Sequence, residues 1–179
     1  MRHLAFALMV VGGIFALAGG SLGLAGWTGQ KGAKAVWEND ITESRDSTGE
    51  FSRLSFPAHN AAFIVRDGAS VANLLMGPVR LQWSSLPGNR GNSVIAAHRD
   101  THFRILKELE KGEVVTLERD GHSFQYRIVA LEIVRPSDST FYQPTSKAVL
   151  TLVTCYPFYY VGPAPKRFIV RAELLDTNS

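Results

Sequence analysis

From Phe51 onward the large apolar residues come in short runs separated by turn signals, and this limits the chain to folds made of many short strands. The clearest case is the pair "EVVTLE" and "SFQYRIVALEIV", joined through Asp120-Gly121. An Asp-Gly turn has the twist that lets two flanking strands pair, so these runs are expected to form a hairpin. "AFIV" (62–65) is ended by Asp67-Gly68, and "SVIAA" (93–97) follows the loop "LPGNRGN" and delivers His98 at its end. "AVLTLVT" (148–154) is rich in β-branched residues, and in "RFIVRAELL" (167–175) Phe168, Val170, Ala172 and Leu174 alternate with Ile169, Arg171 and Glu173. Two short helices interrupt the strands. Ser70 can cap one through "VANLLM", ended by Gly77-Pro78, and Asp100 or Thr101 can cap another in "THFRILKELEKG", where Phe103, Leu106 and Leu109 recur every third residue and Gly112 closes the end. The expected fold is mainly β: a closed or nearly closed barrel with one or two short helices over its ends, and no internal repeat.

A chain of 179 residues holds one domain with a real core plus a tail or anchor. Its net charge of +3 comes from scattered Lys and Arg rather than from a basic face, so a nucleic-acid partner is not expected. Cys155 is the only cysteine, so no disulfide can close within the chain and packing alone must hold the fold.

Leu4 to Gln30 carries no charged side chain and is preceded by Met1, Arg2 and His3. A stretch of about 20 residues is enough to cross the bilayer core, so residues 1–30 are expected to be one N-terminal transmembrane helix, with Trp27 at the far interface. The positive N-terminus places the rest of the chain outside the cytoplasm, giving a single-pass membrane protein. A cleaved signal segment ending near "ALAG" (16–19) is the alternative. Residues 31–50 are polar and read as a stalk, leaving 51–179 as the folded domain.

Cys155 stands where a strand gives way to a segment with Pro157, Gly162, Pro163 and Pro165, a place that presents a thiol at a rim rather than in a core. A lone cysteine is otherwise a small buried hydrophobe. To attack a carbonyl the thiol needs a base or positive charge beside it. His3, His59 and His122 read as surface residues, whereas His98 follows a buried strand and His102 shares its neighbourhood. His98, His102 and Cys155 could in principle hold a metal, but His98 is expected to precede the helix and no fourth ligand is evident, so no metal is expected. Arg167 would return a forked cation to the rim, where an oxyanion needs stabilising; Arg99 and Arg171 are weaker candidates.

"TLVTC", "AAHRDTHF" and "APKRFIV" resemble three signature segments of the sortase family, in family order, and "TCYPFYYVGPAPKRFIV" is similar to the class D branch. The resemblance spans about Phe51 to Leu174. It implies an eight-stranded barrel and a membrane-anchored cysteine transpeptidase without cofactor. Such an enzyme cuts an LPxTG-like sorting signal between Thr and Gly, holds the protein as a thioester, and passes it to an amine such as a peptidoglycan precursor or a pilin lysine. Carried over by position, Cys155 is the nucleophile, His98 the general acid/base, and Arg167 the group that positions substrate and stabilises the oxyanion. Thr154, next to the nucleophile, would assist with the oxyanion; whether Asp100 orients His98 stays open. Two departures stand out: Ala97 precedes His98 where many relatives have glycine, and "GPVRLQW" lacks a histidine often found there. Two other readings stay open, an exported cysteine peptidase that only hydrolyses and a non-catalytic anchored barrel that binds a partner.

Overall fold

In the computed structural model, which describes residues 28–35, 51–160 and 162–175, eight strands close into one barrel. They are β1 (Phe51–Phe56), β2 (Ala61–Asp67), β3 (Val79–Arg80), β4 (Gly91–Ala96), β5 (Val114–Arg119), β6 (His122–Val134), β7 (Ala148–Tyr156) and β8 (Lys166–Leu174). The order around the barrel is β1-β2-β3-β4-β7-β8-β6-β5, and β5 closes it by pairing Leu117 with Leu54 of β1. The pairs β2–β3 and β4–β7 are parallel and the others antiparallel.

The hairpin expected at Asp120-Gly121 is present: Arg119 pairs with His122, and the two turn residues take φ of 50° and 73°. Positive φ at both central positions is what that turn requires, and an aspartate and a glycine tolerate it. Inside the barrel, Leu54, Ile95, Leu117, Leu150 and Val170 are fully buried, with Phe56, Tyr126, Ile128, Leu152 and Ala172 beside them. Each such aliphatic or aromatic side chain contributes roughly 1.5–3 kcal/mol by leaving water. A second cluster, Val94, Val153 and Ile169, lies on the opposite face of β4, β7 and β8 under Phe141 of the 3₁₀ turn Thr140–Tyr142. Burial on both faces explains why β7 reads as a near-continuous run of apolar and β-branched residues, and why Ile169 is buried although it alternates with the inward set.

Helix α1 covers residues 28–35, and α2 spans Val71–Met76. The cap on α2 is as expected, with Ser70 Oγ accepting from the Asn73 N–H at 3.1 Å and Gly77 closing the helix. The second expected helix differs. His102–Glu108 is a 3₁₀ helix with no side-chain cap from Asp100 or Thr101, and it ends at Leu109 in extended backbone. A spacing of three is the 3₁₀ period, so Phe103, Leu106 and Leu109 stack on one face and are all buried. Gly112, at φ 97°, instead shapes the turn into β5, its N–H donating to the Ile128 carbonyl.

Residues 31–35, read from the sequence as part of a stalk, are helical and rest on the barrel with 28–30. Gln30 brackets β2, donating to the Ile64 carbonyl at 3.1 Å and accepting from the Ile64 N–H at 2.9 Å, while Ala33 packs on Ile64. The expected membrane span falls on residues 1–27 and most of the stalk on 36–50, both outside the described residues. No helix among the described residues is long and apolar enough to cross a membrane.

Candidate active site

Cys155 and Arg167 are direct cross-strand partners on β7 and β8. Side chains so paired stand on the same face with Cβ atoms roughly 5 Å apart. His98 arrives from the other side of β7. The parallel β4–β7 ladder pairs Ala96 with Val153 and continues through the Ala97 N–H to the Val153 carbonyl at 3.2 Å, which sets His98 level with Cys155. Thr154 fastens this junction: its hydroxyl is buried and donates to the Ala97 carbonyl at 2.7 Å. Ala97 is in the core cluster, so by alternation His98 leaves on the outer side, the side of Val153, Cys155, Arg167 and Ile169. Fifty-seven residues of sequence separation between His98 and Cys155 are thus removed by one parallel pairing.

The three side chains differ in exposure: His98 is open to solvent, whereas the free thiol of Cys155 and Arg167 are half-buried. Arg167 Nη1 donates to the carbonyls of Ala164 at 3.3 Å and Lys166 at 3.0 Å. Its charge also reaches Tyr142, whose phenol is pushed above its usual range by burial and pulled back in part by Arg167. Beside Tyr142, Trp83 packs edge-on at 5.5 Å and is 63% exposed, making an aromatic wall on this face that strand patterning did not single out.

His102 stands at the start of its 3₁₀ helix, ring edge against Phe63 at 5.6 Å, with Thr101 Oγ1 at 3.2 Å from Nδ1. Burial, then the charge of His98, then that of Arg66, hold its imidazole below the ordinary histidine range. Among the described residues no three His, Cys, Asp or Glu side chains gather as a metal-ligand set. Asp100 is exposed, and no hydrogen bond or ion pair among the described residues joins it to His98. His59 corrects its reading as a plain surface residue, since its Nε2 lies 3.0 Å from Glu113 and ties the β1–β2 turn to the start of β5. His122 stays in the exposed hairpin turn, bonded through Nδ1 to the Asp120 carbonyl.

The segments that leave β4 and β7 are bound to each other by contacts that local sequence patterns do not reveal. Arg99 Nη2 donates to the Tyr160 carbonyl at 2.8 Å and lies 3.4 Å from that of Gly162, its guanidinium 5.7 Å from the Tyr160 ring centre. Further out, Lys107 Nζ and Arg104 Nη2 donate to the Tyr159 hydroxyl at 2.9 and 3.4 Å. The one local signal was a pair of cations three residues apart, which the 3₁₀ repeat places on one side.

A model of the sortase domain matches residues 54–175. Sortase D of Bacillus subtilis (strain 168) is 38% identical over 128 residues, covering 70% of this chain and 65% of that protein, so the chain spans just under two thirds of that relative's length. Sortase C from Clostridium perfringens SM101 is 28% identical, with a TM-score of 0.63 over 76% of this chain and 75% of that one. A Clostridium perfringens Sortase D5 transpeptidase, 20% identical, shares the fold, with a TM-score of 0.66 over 84% of this chain and 98% of that chain.

Proposed function

Because the chain belongs to the sortase family, we propose that it is a cysteine transpeptidase that cleaves an LPxTG-like sorting signal and transfers the protein to an amine of the cell envelope. The observation that carries this reading is the cross-strand pairing of Cys155 with Arg167, with His98 brought level with Cys155 by the β4–β7 ladder. In the first step the Cys155 thiolate attacks the carbonyl of the scissile Thr–Gly bond. The oxyanion that forms is stabilised by Arg167, whose guanidinium turns from the Ala164 and Lys166 carbonyls to do so. The C–N bond then breaks, and the His98 imidazolium gives its proton to the leaving amine. In the second step an acceptor amine gives a proton to His98 and attacks the thioester, a new amide forms, and the C–S bond breaks to return the thiolate. Thr154 fixes the height of the base segment through Ala97, and any help it gives the oxyanion comes from its backbone, since its hydroxyl is already engaged.

The apolar run before Gly29 would hold the domain at the outer face of the membrane, close to secreted proteins bearing such signals and to an amine acceptor such as a peptidoglycan precursor or a pilin lysine. Intact-mass spectrometry of the full chain in detergent, mixed with an LPxTG-type peptide, tests the reading. The expected result is an acyl adduct on Cys155, absent in C155A and in H98A, that an added amine converts to a peptide–amine product. Absence of the adduct across several signal variants would refute the transpeptidase, and hydrolysed peptide alone in the presence of amine would make it a peptidase.

A further inference from the structure

We infer that Arg99 is a positioning residue for acyl transfer, holding the loop that follows Cys155 against the segment that carries His98. The inference rests on the site reading above, in which Cys155 and His98 react together. Both segments run past the ends of their strands: β4 stops at Ala96 and β7 at Tyr156, so from there no ladder fixes one against the other. What joins them is a series of side-chain contacts. At the base, the buried Thr154 hydroxyl holds the Ala97 carbonyl. At the tip, Arg104 and Lys107 hold the Tyr159 hydroxyl, but Tyr159 is 71% exposed and these contacts compete with water. Arg99 sits between, one residue after His98, and is half-buried.

Its targets are the carbonyls of Tyr160 and Gly162, in non-consecutive residues. One nitrogen, Nη2, reaches both acceptors while the planar guanidinium lies over the Tyr160 ring, a placement that suits a flat, weakly hydrated cation better than an ammonium, a point charge on a flexible stem. Arg99 touches neither the thiol nor the imidazole in any contact among the described residues. It acts through backbone, by fixing how far the His98 segment stands from the loop that follows the nucleophile.

The test uses the full chain in detergent and an LPxTG-type peptide, with single-turnover acylation followed by rapid quench and intact mass. For R99Q the acylation rate at saturating peptide is expected to fall by about tenfold or more, since a displacement on the order of 1 Å between reacting groups can cost about a hundredfold. The peptide concentration giving half the maximal rate should change little, because Arg99 places the catalytic groups rather than the peptide. R99K should recover part of the rate. A wild-type acylation rate in folded R99Q overturns the proposal. So do equal losses in R99Q and R99K that follow only the fraction unfolded in a thermal melt, which would make the residue merely structural. If R99Q does not fold, R99K decides, and a wild-type rate there overturns the proposal. C155A and H98A, run alongside, separate the two levels: if either acylates like wild type, the site reading fails and the inference with it.

Discussion

Replacing Thr154 by valine removes one hydroxyl from the joint between the segment that carries His98 and strand β7, which carries Cys155, and little else. The two side chains have nearly the same shape, so no cavity opens. The loss is the 2.7 Å bond to the Ala97 carbonyl, made by a residue only 2% exposed. Leaving a buried acceptor without its donor costs about 1–3 kcal/mol, and the added buried methyl offsets up to about 0.8 kcal/mol of that. A net loss of about 1–2 kcal/mol corresponds to a melting temperature lower by roughly 4–8 °C for a domain of this size. The barrel stays folded at 25 °C, yet acylation should fall by more than the small unfolded fraction explains, because the orphaned carbonyl belongs to the residue before His98. T154S, which keeps the hydroxyl, should stay near the wild-type acylation rate. Thermal melts and single-turnover acylation on the three proteins are the measurements. A T154V protein that melts lower but acylates like wild type refutes the link from this bond to the site, and one with no change in either refutes the bond's importance altogether.

Three further outcomes are expected. His102 holds its proton more weakly in the folded protein than its ordinary value of 6.5, through burial first, then the charges of His98 and Arg66; as pH falls below that value the unfolded chain binds a proton the folded one refuses, so stability drops. Urea unfolding at pH 7 and pH 5 should therefore show a smaller acid loss in H102Q than in wild type, and equal losses would contradict the reading. Asp67 accepts both arms of the buried Arg80 at 2.8 and 2.7 Å and Arg119 at 3.2–3.3 Å, so D67N leaves two buried guanidiniums facing a neutral amide; a loss of about 3–5 kcal/mol is expected by chemical denaturation. D100N, at an exposed position, should keep the acylation rate within about twofold, while a drop of tenfold would show that Asp100 does orient His98.

Much of the fold was legible because local chemistry decides it. Asp120-Gly121 could close a hairpin whatever surrounded it, and Ser70 could cap "VANLLM" by reaching three residues along its own chain. The repeat of Phe103, Leu106 and Leu109 was also visible, but not its helix type: a spacing of three serves one face of an α-helix and matches the 3₁₀ period, and packing under the barrel chose between them. Ile169 was placed on an outward face by alternation, and only the return of Phe141 over that face buried it.

For the site, the residue types and their order along the chain made Cys155, His98 and Arg167 candidates before any geometry was known. Their juxtaposition could not be read that way. It depends on a parallel register between β4 and β7 and an antiparallel one between β7 and β8, and such registers are set by how distant strands bury their faces together. The same holds for Arg99, which by sequence is only a neighbour of His98. Its carbonyl partners lie 61 and 63 residues away and exist as a site only after the loop beyond Cys155 has folded back. The sequence by itself determined which chemistry the chain carries and where its turns fall; closure of the barrel decided which of those groups meet, because strand pairing acts across distances that local propensity does not reach.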